Sequence, residues 1–195
     1  AVKTYPALGA TGPNSKVVAW TGFAIDTRDS SLYSAANGGH MDYAGNEVDR
    51  IRLSDSAPAW TEVRPATPVA QVVASTTYYA DGRPTSRHSY YGEVVNEQRN
   101  RVMTLGGSRY GVGFVIGTVD GFNLATNDWD AAQSYPDGLS ELAGTAGPAI
   151  VDDKASGDIY MFANWNVLRW SNATNAWTRV LSNTSTYGQY SASAF

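Results

Sequence analysis

Cysteine is absent from the 195 residues, which excludes disulfides, thiolate metal sites and cysteine nucleophiles but leaves the compartment open. Lysine is scarce. Three lysines stand against eleven arginines spaced singly along the chain, and the formal charge is -4. There is accordingly no basic stripe for nucleic acid and no polybasic patch for a membrane surface. Long apolar runs and sustained helical periodicity are also missing, so neither a membrane-spanning helix nor a helical bundle is expected. The chain carries no initiator methionine, apolar leader or targeting tail, and its last residues, SASAF, read as a strand that stops in mid-element. It is therefore expected to be a segment of a longer assembly.

What is present is the material of a sheet protein. Hydrophobic residues make up 43% and charged residues 16%, with twelve tyrosines, six tryptophans and nineteen glycines. That balance supports a sizeable core built from many short strands separated by turns. All-β is the expected class.

The strands repeat. GFAID, the turn TRDS and SLYSAANGG are echoed by GEVVN, EQRN and RVMTLGG, and again by PAIVD, DKASG and DIYMFAN. Farther along, RIRLSDSAPAWTEV, GFNLATNDWDAA and VLRWSNATNAWTRV each join a strand through a polar turn to a tryptophan that opens another strand. Four strands per unit follow. Ile25, Val95 and Val151 are read as equivalent, with Phe195 opening a fourth unit, at spacings of 70, 56 and 44 residues. Unequal loops account for the unequal spacing.

Four strands in about 45 to 50 residues is the pattern of a propeller blade. The diglycines Gly38-Gly39 and Gly106-Gly107, with Trp60, Trp129 and Trp177 on the fourth strands, resemble the kelch repeat. GGHMDYAGNEV and RPTSRHSY are similar to stretches of the kelch or galactose-oxidase-like propellers of bacteria and their phages. The third unit departs from the pattern, with Ala163 and Asn164 in place of a diglycine. The resemblance implies about three four-stranded blades over 16–63, 88–131 and 145–180, plus the first strand of a fourth over 187–195. It also implies that remaining blades or another subunit complete the ring. Trp60, Trp129 and Trp177 are expected in the cores between blades, since each would remove ~150 to 250 Å² from water.

Antiparallel alternation places the loop between the second and third strands on the same face as the connection to the next blade. That face gathers His40 to Asn46, Arg64 to Arg87, Ser108 to Gly117 and Gln133 to Gly147, and long loops on a rigid scaffold are where binding resides. His40, Asp42, Tyr43, Asn46, Glu47, Arg87 and His88 are the expected ligand- or partner-binding residues. A structural reading stands beside this one. In it Asp42, Asn46 and Glu47 satisfy loop amides and Arg87 pairs with Glu47 to pin one blade to the next.

Catalytic constellations are incomplete. A galactose-oxidase copper site requires a cysteine, and the sequence has none. His40 and His88 with Tyr43 and Asp42 offer imidazole and carboxylate to a metal, but no HxH or HExxH spacing supports it. No metal and no cofactor is expected. SNATNAWT lacks the aspartate and glycine of the sialidase signature. Asp42 and Glu47 as a glycosidase couple would share one loop, and solvated loop carboxylates are the simpler reading. Asp152, Asp153 and Asp158 around KASG fit a hairpin turn better than a calcium loop. Asn172 and Asn183 begin glycosylation sequons, of weight only in a eukaryotic secretory setting. GSRYGVGFVIG lacks the lysine and helix of a phosphate loop and reads as a flexible loop. The sequence favours a binding or structural module for a protein or glycan, extracellular or virion-associated, over the alternative of a carbohydrate-active propeller enzyme.

Overall fold

The computed structural model describes residues 9–10, 12–18, 20–113, 116–139, 148–163 and 166–182. Their architecture is all-β. Short turns of helix at Gly12–Asn14, Ser15–Val18 and Val69–Gln71 accompany fourteen strands. The first sheet runs β1 (Ala24–Asp26), β2 (Ser31–Ala35), β3 (Val48–Arg52) and β4 (Thr61–Arg64) in simple antiparallel order. A link containing β5 (Arg87–His88) leads to the second sheet, β6 (Glu93–Asn96), β7 (Arg101–Leu105), β9 (Val119–Asn123) and β10 (Asp128–Trp129). β8 (Ser108–Arg109) leaves that order to pair with β5. The third sheet runs β11 (Ala149–Asp152), β12 (Ile159–Ala163), β13 (Asn166–Ser171) and β14 (Ala176–Leu181). The strand expected over 187–195 lies outside the described residues.

Local chemistry fixes the hairpins. TRDS, EQRN, LATN and NATN are four-residue turns whose last residues, Ser30, Asn100, Asn127 and Asn175, adopt φ of 58°, 55°, 52° and 51°. Asparagine tolerates this left-handed conformation better than most side chains, and a short polar residue before the turn can bond its amides. Asp26 accepts from the Arg28 amide, Asn96 from that of Arg99 and Asn123 from that of Ala125. Turn sequence thereby sets strand register.

The three sheets pack face to face with their first strands side by side. Ala24, Tyr33, Ala35 and Val48 of the first sheet meet Val95, Val102 and Phe122 of the second. On its other face the second sheet presents Val94, Met103, Leu105 and Val119 to Ile159, Met161, Leu168 and Trp170 of the third. Polar turns extend the contact: Arg28 donates to Asn100, Asn96 to the Gly157 carbonyl and Gln98 to the Lys154 carbonyl.

Register corrects several equivalences read from the sequence. Val95 pairs with Val102 and faces the preceding sheet, and in the third sheet that face is held by Ile150, not Val151. The second and third hairpins have four pairs each, but the third turns over six residues, 153–158, where the second takes four, and this shifts the alignment. The diglycines are out of register as well. Gly106 falls at the position of Ala36, both left-handed at φ 66° and 55°, with matching bonds from their amides to the carbonyls of Thr118 and Glu47.

Trp129 and Trp177 pack against the cores as expected, Trp129 edge-on to Phe122 at 5.5 Å. Trp60 does not. It is 42% exposed and rests against Phe23, because no described sheet covers that face of the first sheet. Among the described tryptophans the fully buried one is Trp170, with the Arg99 guanidinium 4.8 Å above its ring.

Asp153 closes its hairpin by accepting from the Ala155 amide and the Ser156 hydroxyl, as a turn residue should. Asn172 is engaged by Arg99 and by the Ser156 carbonyl, so it is not a free sequon side chain. Asn183 lies outside the described residues.

Candidate functional site

The loop from Ala36 to Glu47, the link carrying β5 and the segment around β8 interlock on one side of the sheets. Arg87 donates its amide to Ala36 and accepts from Gly38, His40 donates to Ser108, and Tyr110 donates to Ser86. GSRYGVGFVIG is thus anchored through β8 rather than being a wholly free loop. Gly39 (φ 47°) and Gly107 (φ 99°) close on β5 from two sides. A side chain at either would collide with the His88 backbone, so glycine lets the loops approach it.

The seven residues expected to form one polar patch divide into two groups. His40, Asp42 and His88 come together at the surface: the imidazoles stack at 5.6 Å, and His88 Nε2 lies 2.8 Å from Asp42 Oδ2. His40 is exposed and held at φ 48°, while His88 is buried. Burial pulls the His88 imidazole below its ordinary value, against the opposing pull of Asp42 and with a further downward push from His40. A neutral ring carrying its proton on Nε2 donates to the Asp42 carboxylate.

Tyr43, Asn46, Glu47 and Arg87 lie beneath, all buried. Asn46 bonds to Thr67 and to the Pro84 carbonyl, tying the first loop to the link. Glu47 is no solvated carboxylate, and its partner is not Arg87. It accepts from Tyr43 at 2.9 Å and from Lys16 at 2.8 Å, and Lys16 also bonds to Asp49. Burial draws the Lys16 ammonium down, but Glu47 and Asp49 outweigh it and leave the group above its ordinary value. Arg87 turns instead to Asp120 at 2.6 Å, with the Gly106 carbonyl and Thr118 hydroxyl as further acceptors.

Beside the histidines, where β1, β6 and β11 begin, lies an open pocket of about 360 Å³ lined by Thr21, Gly22, Phe23, Tyr90, Tyr91, Glu93 and Ile150. Tyr90 joins the two features, its ring edge-on to His88 at 6.0 Å and its hydroxyl 3.1 Å from Ser108. Tyr91 is exposed. Glu93 is buried, and burial pushes its carboxyl up to about 8, with Ser89, the Ala35 amide, Asn37 and Arg87 drawing it the other way. A carboxyl that keeps its proton at neutral pH can donate as well as accept.

Sequence reasoning missed Glu93, Asp120 and Lys16. A signal for Glu93 exists: it follows Gly92 where Phe23 follows Gly22 and Pro148 follows Gly147, a charge at a position otherwise apolar. Asp120 carries no such mark, because only folding brings it to Arg87 across a separation of 33 residues.

No protein-family model and no curated protein matches the chain. Solved structures do, among them that of YjhT, with a TM-score of 0.54 at 14% identity. The match covers 93% of this chain and 54% of that one, so this chain spans about half its length. At that identity the likeness is one of fold.

Proposed function

We propose that the chain is a segment of a kelch-like β-propeller, its three sheets being three blades. In this reading it is a binding or structural module that recognises a protein or carbohydrate through one loop face. The observation that carries the proposal is an open pocket at the starts of the three first strands, beside the histidine cluster that the long loop after β2 and the link before β6 bring together. Tyr90 and exposed Tyr91 line the pocket, and His88, stacked on exposed His40 and bonded to Asp42, meets Tyr90 edge-on. Repetition of the same four-strand meander with first strands adjacent supports the blade reading. Further blades, or another subunit, would cover the outer faces of the first and third sheets.

The carbohydrate-active alternative draws on one feature, the raised carboxyl of Glu93 in a pocket with two tyrosines, which is how a general acid is prepared. Glycosidases pair such an acid with a second carboxylate. Among the described lining residues Glu93 has no such companion, and recognition is the better-supported reading.

The test is a glycan array, read beside the folded His40→Ala and Tyr91→Ala variants. Saturable binding lost in both, with unchanged melting temperature, supports the loop face. Binding unaffected by either variant removes it.

A further inference from the structure

A buried carboxyl normally has both oxygens satisfied, since an unpaired polar atom away from water is costly. Glu93 departs from this. Its Oε2 accepts from the Ala35 amide at 3.3 Å, while Oε1, fully buried, has no hydrogen-bond partner among the described residues. Ser89 and Asn37 stand close enough to draw the carboxyl down, but their donations run elsewhere: Ser89 to Asn37 at 2.5 Å, and the Asn37 amide to Gly22 and Ser34. The same side chain lines the pocket at the starts of β1, β6 and β11, together with Thr21 and two tyrosines. An orphaned polar atom on a buried side chain that lines an open cavity can gain a partner from outside the protein when the carboxyl turns toward that cavity.

We propose that this pocket is a binding site for a neutral, hydroxyl-bearing small molecule of saccharide type, with Glu93 as its hydrogen-bonding anchor. The inference rests on the loop-face reading above and deepens it by naming a subsite and the chemistry it selects.

The charges around Glu93 decide the class of ligand. From the link before β6, Arg87 faces it but spends its guanidinium on Asp120, Thr118 and Gly106, and the phenols of Tyr90 and Tyr91 lie at the pocket wall. The end of β2 supplies the Ala35 amide, the loop after it the Asn37 side chain, and β11 supplies Ile150. No lysine or arginine lines the cavity among the described residues, so an anionic ligand finds no counter-charge. Burial, which pushes the carboxyl up to about 8, favours its protonated form at neutral pH. A protonated carboxyl offers one donor and one acceptor, which is what a hydroxyl group offers in return. A cation would require the ionised form and would bind better as pH rises; a polyol uses the protonated form and binds worse above about pH 8.

The experiment follows the carboxyl carbon of Glu93 by NMR in carbon-13-labelled protein, titrated with methyl glycosides of galactose, glucose and N-acetylglucosamine, and separately with tetramethylammonium. The expected result is saturable perturbation of Glu93 by a glycoside at about pH 6, weakening as pH passes about 8. Glu93→Gln, which keeps a donor and an acceptor, should retain binding and lose its pH dependence. Glu93→Leu should weaken binding about tenfold or more. Three results would overturn the proposal: no glycoside shifts the Glu93 signal, tetramethylammonium binds with affinity rising with pH, or glycoside binding survives unchanged in Glu93→Leu. If Glu93→Leu does not fold, the wild-type signal and the glutamine variant still decide. Array binding that depends on His40 and Tyr91 but not on Glu93 would leave the loop-face reading standing while removing this one.

Discussion

The guanidinium of Arg87, fully buried, meets the carboxylate of Asp120 at 2.6 Å, joining the link before the second sheet to its third strand. It does not tie one sheet to the next through Glu47, which has its own cation in Lys16. Two separate charge networks therefore underlie the loop face, one within the second sheet and one fixing the Ser15–Val18 turn to the first. Removing one partner of a buried pair strands the other, at about 3–5 kcal/mol. Arg87→Ala and Lys16→Met should each lower stability by that order in chemical denaturation. The double-mutant cycle is the sharper measurement: Arg87 with Asp120 should show coupling, whereas Arg87 with Glu47, which share no bond, should be additive within about 0.5 kcal/mol. Strong coupling between Arg87 and Glu47 would refute this assignment.

Glu93 should make the protein less stable as pH rises. Its folded-state carboxyl is pushed up to about 8 from an ordinary 4.5 by burial, so between those values the native state holds a proton that the unfolded chain has released. Stability then falls with pH across that window, in total by several kcal/mol at ~1.4 kcal/mol per unit. Glu93→Gln should flatten the profile and be more stable than wild type near pH 8. Parallel profiles for the two proteins would show that Glu93 ionises freely.

His88 acts at the acid end. Its folded value lies below the ordinary 6.5, because burial outweighs the pull of Asp42. Its contribution is thus complete above about 6.5 and is lost as pH falls through that value toward the lower folded one, where the unfolded chain takes up the proton first. His88→Gln should remove this acid-side slope. His40→Ala, by contrast, changes an exposed ring and should leave the melting temperature within error while abolishing ligand binding. A His40→Ala variant that binds normally would place the working surface elsewhere.

The legible part of this protein was the part written in local chemistry. GFAID with TRDS and GEVVN with EQRN carry strand, turn and left-handed residue in a few positions, and the hairpins formed there. The sidedness of the loops followed from antiparallel alternation, which is why His40, Asp42 and His88 were expected together and are found together. What could not be read was which side chains are satisfied at long range. Tyr43, Asn46, Glu47 and Arg87 look like surface polar residues in sequence, yet partners 4 to 38 residues away take them inside. A third limit was register. The third hairpin turns over six residues where the second takes four, and this moves Val151 off the face assigned to it, a shift visible only once Asp152 is seen opposite Ile159.

The last prediction concerns the outer faces of the stack. Trp60, Trp129 and Trp177 stand on corresponding faces of the three sheets, and the latter two are packed against the sheet before them. Trp60 has no such sheet, and with Ile25, 47% exposed, and the exposed Val17 that lines the same hollow as Trp60, it leaves an apolar surface. The far side of the third sheet is similarly open at Phe162, Val180 and Leu181. A sheet that buries this face twice within one chain is complementary to more of its own kind, and exposed apolar patches of this sort mark an interaction surface. In the isolated 195-residue chain, Trp60→Ser should therefore change stability by less than about 0.5 kcal/mol. Trp129→Ala and Trp177→Ala should each cost about 3 kcal/mol if their packing is as deep as a core aromatic. The isolated chain should also self-associate in sedimentation experiments, with Trp60→Ser and Phe162→Ser reducing the association. In a form that carries further sheets, Trp60→Ser should become as costly as the other two. A well-folded, monodisperse monomer with a cooperative melt would count against completion by further blades or another subunit, since such a chain would need nothing to cover Trp60.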